Sequence, residues 1–311
     1  MTNSLKDTFT DYHYGGVSDK VKAYIDTQTG WFKPALMYQD LGLDRKSYST
    51  AHGKLTRLVK DGVLESKNQS FRRVDNGLER INWEEASGIP LQVSLPFELE
   101  KYALVYEGEV ILIQGEKSGT KTLLTMEAAR ENANKGLYTV DYFSSELYEQ
   151  QIKDRNEQAR VHRGIKFKEW KDVNFYFRLG DFAQVLDPDH LTFIDYLNVI
   201  DDYTLMAGLL EAIYKKVKTG KGFAWVCVQK NVHTQFGMGG QGLWHRPSLI
   251  MTLYKGDYNG NQPYVLEINV AKKWTGETDP VGLQLDFWIT KGYGTEIEND
   301  WRHPPKKHRQ Y

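Results

Sequence analysis

Lys121 and Thr122 stand directly behind the short run Gly115-Glu116-Lys117-Ser118-Gly119-Thr120 and directly ahead of a helix-like pattern, while the apolar run VILIQ from Val110 leads into it. Strand, glycine-bearing turn, lysine, hydroxyl and helix follow one another in the order of a phosphate-binding loop. Backbone N–H groups of such a turn, together with the positive end of the helix behind it, cradle phosphates. In that arrangement the lysine reaches the outer phosphates and the hydroxyl holds Mg2+. Gly115, Glu116, Lys117, Ser118, Gly119, Thr120, Lys121 and Thr122 are therefore the candidate phosphate-binding residues. The usual spacing, GxxxxGK[ST], is kept at Gly115, but Thr120 stands where the second glycine belongs and Gly119 lies one position early. A Cβ at that point can hinder the backbone's approach to phosphate. An ordinary Gly/Ser strand-to-helix turn is the competing reading.

Hydrolysis of a bound triphosphate needs a carboxylate to hold Mg2+, a carboxylate to polarise the attacking water and a polar group that senses the γ-phosphate. Three downstream apolar runs end in the required residue types. GLYTVDYFSSELYEQQIKDR carries Glu146 just past its strand, HLTFIDYLNVIDDY carries Asp195, and GFAWVCVQK carries Gln229. Asp201 and Asp202 read instead as residues that cap or solvate the next helix. The stretch NVHTQFGMGGQGLWHRPS, residues 231–248, is glycine-rich and dotted with Gln235, Gln241, Trp244, His245 and Arg246. Those side chains suit phosphate bonding and base stacking. The bland alternative is a loop whose Trp244 packs back on its own domain.

In these phrases the chain resembles the RecA-like core of DnaB-type replicative helicases and their phage and plasmid relatives. YFSSEL (Tyr142–Leu147) stands where that family has a phrase like YFSLEM, and IDYLNVI (Ile194–Ile200) where it has one like IDYLQLI. VCVQK (Val226–Lys230) matches a strand ending in glutamine, and the likeness spans about residues 89–275. The resemblance implies that Lys121 and Thr122 bind ATP and Mg2+, that Glu146 orients or deprotonates water, and that Asp195 holds the Mg2+ shell. It further implies that Gln229 couples the γ-phosphate to loop 231–248, which would face single-stranded DNA through Trp244 and Arg246. Hexameric relatives complete each site with a basic finger from a neighbouring subunit, on a strand like IAKQRNG. Here that strand reads LEINVAKKWTG, so Lys272 and Lys273 are the candidates and the arginine is missing. Lysine lacks the planar fork that arginine offers a transferring phosphoryl group. A homo-oligomer, hexamer or filament, is thus an implied but open partner.

The elements that must position these residues begin upstream of them. SDKVKAYIDTQTGWF reads as a helix capped at Ser18 with an apolar stripe at Val21, Tyr24 and Ile25, PALMYQDLGL as a short helix closed by Gly42, and DRKSYSTAHGKLTRLVKDG as a helix capped near Asp44 and ended by Gly62. VLESKNQSFRRVD then gives β-residues around Asn68-Gln69. Three helices and a hairpin in this order resemble a winged helix-turn-helix domain. The resemblance makes Arg45 to Lys60 the recognition helix, with Arg45, Lys46, Ser47, Tyr48, Ser49 and His52 toward duplex DNA and Arg72-Arg73 on the wing. A solvated helix face and a protein-docking module are the alternatives.

The expected organisation is a tail (1–17), the winged helix (18–75), a polar linker (76–88), a RecA-like core (89–296) and a basic tail (297–311). The fold class is α/β: a mostly parallel sheet flanked by helices, with the small domain in front. A formal net charge of −1 rules out a global basic field, so any nucleic-acid binding must come from local patches. The single cysteine, Cys227, excludes an internal disulfide, and its AWVCV setting suits a core residue rather than a nucleophile. The eight histidines show no close ligand pairing, so no structural metal is expected. No apolar run suggests a signal or membrane span. The chain is expected to be intracellular, and the DnaB-type resemblance implies the cytoplasm of a bacterial cell and a phage- or mobile-element-encoded relative. Its expected role is an ATP-hydrolysing DNA-binding protein of replication, recombination or repair, a helicase- or recombinase-like motor. The alternative is a regulator or loader that binds nucleotide without turning it over.

Overall fold

A computed structural model of the chain describes residues 16–28, 30–74, 83–117, 120–198, 203–231, 234–256, 262–291 and 293–304. They fall into two compact units that divide between Ala86 and Ser87.

The smaller unit holds α1 (Val17–Thr27), α2 (Pro34–Asp40), α3 (Tyr48–Lys60) and the antiparallel hairpin of β1 (Leu64–Lys67) and β2 (Ser70–Arg73). Val21, Tyr24 and Ile25 of α1 and Ala51 and Leu55 of α3 recur at helical spacing. They meet Phe32, Met37, Leu64 and Phe71 in one buried core. Ser18 is not the cap of α1. The helix starts two residues earlier because Val17, one turn before Val21, packs on the same core, and Gly16 holds the cap position. Asp44 does cap: its carboxylate accepts the Ser47 N–H at 2.9 Å and opens a single 3-10 turn, Arg45–Ser47, ahead of α3. Asn68 and Gln69 both take positive φ, 49° and 59°, as a two-residue hairpin loop requires.

The larger unit is built on a nine-stranded sheet in the order β11-β10-β9-β8-β3-β7-β6-β4-β5. Its strands are β3 (Glu109–Gly115), β4 (Val140–Ser144), β5 (Val173–Phe177), β6 (Leu191–Asp195), β7 (Phe223–Gln229), β8 (Leu249–Lys255), β9 (Tyr264–Ala271), β10 (Gln284–Thr290) and β11 (Gly294–Ile297). Strands β8, β3, β7, β6, β4 and β5 pair in parallel, and the near-continuous apolar runs of all but the edge strand β5 are what a sheet covered on both faces demands. Alternation along the strands sends Ile111, Ile113, Phe193, Trp225 and Cys227 to one face, under α4 (Thr120–Lys135), and Leu112, Ile194, Val226 and Val228 to the other, under α7 (Met206–Val217). Burying each such side chain contributes about 1.5–3 kcal/mol. The remaining helices are α5 (Glu149–Arg163), between β4 and β5, and the short α6 (Phe182–Val185).

Two features of this unit depart from the sequence expectation. Strands β9, β10 and β11 are antiparallel additions at one side, and β5, an edge strand, was not foreseen. The core also runs past residue 296. Trp301 donates its indole N–H to the Phe97 carbonyl at 3.1 Å, and Arg302 pairs at 2.6 Å with the buried Asp286, a carboxylate that needs a partner there. Parts of the two expected tails and of the linker lie outside the described residues, as do Ser118, Gly119, Ile200, Asp201 and Asp202.

Candidate functional site

Parallel strands joined by returning helices bring all their carboxyl ends to one edge. There the register aligns Gly115 with Gln229 across β3 and β7, and Ser144 with Asp195 across β4 and β6. Asp195 and Gln229 fall on the α4 face, in phase with Phe193 and Cys227. Gly115 has a steric reason to be glycine: a Cβ would lie 2.9 Å from the Leu253 carbonyl oxygen and 3.4 Å from Cδ of Lys121. The stem of Lys121 therefore passes over the backbone at the only residue that leaves room.

Lys121 is buried, and its ammonium donates to the carbonyls of Gly115 at 2.9 Å and Glu116 at 2.8 Å. Burial pulls its pKa below that of an ordinary lysine, while the nearby carboxylates of Asp195, Glu146 and Glu116 act in the opposite sense. Asp195 is buried as well and accepts the Tyr142 hydroxyl at 2.7 Å. Burial raises its pKa, against hydrogen bonds from Tyr142 and Thr122 and the charge of Lys121. Lys121, Thr122, Glu146 and Asp195 thus share one small volume. Glu146 follows β4 on a turn in which the Ser144 hydroxyl accepts its N–H at 3.2 Å, and its carboxylate is exposed toward Tyr196. Gln229 is half-buried beside Gly115, whose carbonyl also accepts the N–H of Lys230 at 2.9 Å.

The donor set suits a triphosphate with Mg2+. A desolvated ammonium calls for an anion, and a threonine hydroxyl near a buried carboxylate offers hard oxygen ligands for Mg2+. Thr120 opens α4 with its side chain buried, and among the described residues its hydroxyl has no partner. Among the described residues no group of His, Cys, Asp and Glu is spaced to hold a metal by itself.

Sequence reading missed Gln114. It is completely buried at the end of β3 and ties loop 231–248 to the strand that leads into the phosphate loop. Its Oε1 accepts the Gly237 N–H at 2.8 Å and the Trp244 indole N–H at 3.2 Å; its Nε2 donates to the Gln235 carbonyl at 2.9 Å and the Thr252 hydroxyl at 2.8 Å. The signal was a lone amide at the end of an otherwise apolar run. Tyr142 and Tyr196, which flank Asp195 and Glu146, were also missed as site residues.

Several expected site residues are engaged elsewhere. Trp244 is held by Gln114 and packs edge-on against Phe236 at 4.9 Å, so its indole packs back on its own unit. Arg246 pairs with Glu211 of α7 and lies over the Tyr214 ring at 4.9 Å. Lys272 and Lys273 follow β9, which runs antiparallel to β8, and this puts them at the edge opposite the phosphate loop of their own subunit. There the Lys273 ammonium sits 3.3 Å from Glu109 and 3.8 Å from the Tyr106 ring centroid, and Lys272 donates to the carbonyls of His245 and Arg246 at 3.2 Å. In the smaller unit Arg45, Lys46, Ser49 and His52 are exposed around the start of α3, where Ser47 is half-buried. Tyr48 is stacked on Tyr38 at 4.3 Å, Arg72 pairs with Glu65 and covers Trp31, and Arg73 pairs with Asp26 at 3.5 Å.

No family model matches the chain, and no curated protein does. Among solved structures, a KaiC-like protein of the hyperthermophilic archaeon Pyrococcus horikoshii OT3 is similar at a TM-score of 0.51 and 10% identity, over 68% of this chain and 99% of that one. The flagellar accessory protein FlaH of Methanocaldococcus jannaschii aligns at a TM-score of 0.46 and 12% identity, over 63% of this chain and 91% of its own. The larger unit has a RecA-like α/β fold, with a mostly parallel sheet flanked by helices.

Proposed function

We propose that the protein binds Mg-ATP at the carboxyl edge of its sheet and hydrolyses it, and that it acts on DNA in replication, recombination or repair. The observation that carries this reading is geometric: the register brings the ends of β3, β4, β6 and β7 to one edge, where the buried Lys121 crosses Gly115, the buried Asp195 ends β6 and Glu146 follows β4. Thr122 and Asp195 would hold Mg2+, which neutralises phosphate charge when bound. Lys121 would exchange its two carbonyl partners for phosphate oxygens, Glu146 would place and deprotonate water, and Gln229 would report the γ-phosphate. Loop 231–248, fastened through Gln114 to the strand that leads into the phosphate loop, is where that report would arrive.

The DnaB-type likeness in YFSSEL and IDYLNVI supports a DNA-directed motor, working as a hexamer or filament. The three helices and hairpin of the smaller unit support a winged helix that meets duplex DNA through Arg45, Lys46 and His52. A second reading, a nucleotide-binding regulator or loader without turnover, is favoured by Thr120 in the loop and by finger lysines already paired within their own chain.

ATP turnover measured with and without single-stranded DNA separates the two. Glu146→Gln should slow turnover at least about 100-fold, the low end for loss of a general base. Mg-ATP should still protect that variant against heat, since a ligand that binds only the folded state raises stability. Turnover equal to wild type in the variant would contradict the role of Glu146. Binding without turnover in the wild type would select the regulator.

A further inference from the structure

We infer that Ser145 is a positioning residue for hydrolysis: it clamps the turn that carries Glu146 to the turn that follows Asp195, and so fixes where the Glu146 carboxylate stands. The inference rests on the ATPase reading above and deepens it.

The end of the ladder explains why a clamp is needed. β4 and β6 pair from Val140 and Leu191 up to Ser144 and Asp195, and the regular register stops there. Beyond it the two chains part. Glu146 turns toward α5, and the Leu197 N–H goes to the Cys227 carbonyl of β7 at 2.9 Å. Glu146 is exposed, so its aim depends on where its backbone is held rather than on packing around its side chain. A general base misplaced by about 1 Å can cost about 100-fold in rate.

Ser145 supplies the hold from the position just before Glu146. Its N–H donates to the Asp195 carbonyl at 3.0 Å. Its hydroxyl accepts the Tyr196 N–H at 3.2 Å and donates to the Tyr196 carbonyl at 3.2 Å. A hydroxyl has one proton to give and two lone pairs, so one side chain serves both groups. Tyr196 is half-buried, and its backbone groups need partners that the parting strands no longer offer. Ser144 does a different job: its hydroxyl accepts the N–H groups of Glu146 at 3.2 Å and Leu147 at 2.7 Å, which shapes the turn without tying it to β6. YFSSEL has serine where YFSLEM has leucine, and a leucine could make neither side-chain bond. The clamp is thus a feature of this chain and not of the phrase it resembles.

Steady-state turnover, equilibrium binding of Mg-ATP and amide hydrogen exchange, all on the full chain, test this. Ser145→Ala keeps the backbone bond and removes the two side-chain bonds. Its kcat should fall roughly tenfold, as a displacement well under 1 Å would cause. Its affinity for Mg-ATP should stay within about twofold, since Lys121, Thr122 and Asp195 are untouched. The Tyr196 amide should exchange faster, with or without nucleotide. Ser145→Thr keeps the hydroxyl and should restore both kcat and slow exchange. Circular dichroism checks that each variant is folded, and Ser145→Cys, whose thiol is only a weak donor, carries the test if Ser145→Ala is not. Wild-type kcat or wild-type exchange at Tyr196 in folded Ser145→Ala overturns the inference. So does a loss of affinity as large as the loss of kcat, or a Ser145→Thr variant as slow as Ser145→Ala. In each of these cases slow turnover by Glu146→Gln leaves the ATPase reading standing. Wild type that binds Mg-ATP without turnover, or does not bind it, overturns that reading and this inference with it.

Discussion

At the scale of single residues the site is held together by groups that burial opposes. Lys121 and Asp195 are both taken out of water, and each carries a pKa displaced toward its neutral form. Two charges taken out of water add little net stability, because desolvation offsets what attraction they gain, and they stand ready for an anion and a cation. Burial acts in the same sense on Tyr24 in the smaller unit, and there a neighbouring carboxylate adds to it. The Tyr24 hydroxyl donates to Asp40 at 3.1 Å, and burial followed by that carboxylate pushes its pKa up to about 12. A folded pKa above the unfolded value of about 10 means stability fully present below pH 10 and lost as pH rises through 12. Tyr24→Phe is therefore expected to flatten the fall in stability of this unit between those pH values, by denaturant titration across the range; an unchanged slope would contradict the assignment.

At the scale of elements, Gln114 fastens loop 231–248 to the end of β3. Gln114→Leu leaves the Gly237 N–H, the Trp244 indole N–H and the Gln235 carbonyl without their partner, at about 2–4 kcal/mol in all. The larger unit should lose several degrees of Tm, at roughly 2–4 °C per kcal/mol, and amide exchange at Gly237 should quicken. Slow exchange in the variant would mean that the loop is held by other contacts. This anchoring was not legible in the sequence, because glycines and polar residues look alike whether a loop is tied or free. Strands ending in Asp195 and Gln229 were legible because buried parallel strands leave long apolar runs with abrupt polar ends. Edge strand β5, VNFYF, was missed because it is largely solvated and offers no such run. Lys272 and Lys273 were located by sequence likeness, which carries no information on which edge of the sheet an added antiparallel strand ends.

At the scale of the whole molecule the fold separates tasks. The parallel half of the sheet gathers the polar ends of β3, β4, β6 and β7 at one edge, and the antiparallel strands β9 to β11 extend it on the far side of the loop strand. The smaller unit has its own buried core of nine residues and an exposed basic helix start. The ATPase role depends on nucleotide reaching the edge where Lys121 sits. Calorimetric titration of the full chain with Mg-ATP, beside Lys121→Ala, addresses this most directly. The account predicts one saturable, magnesium-dependent site per chain that disappears in a folded Lys121→Ala variant. Absence of binding in the wild type, or equal binding in the variant, would contradict it.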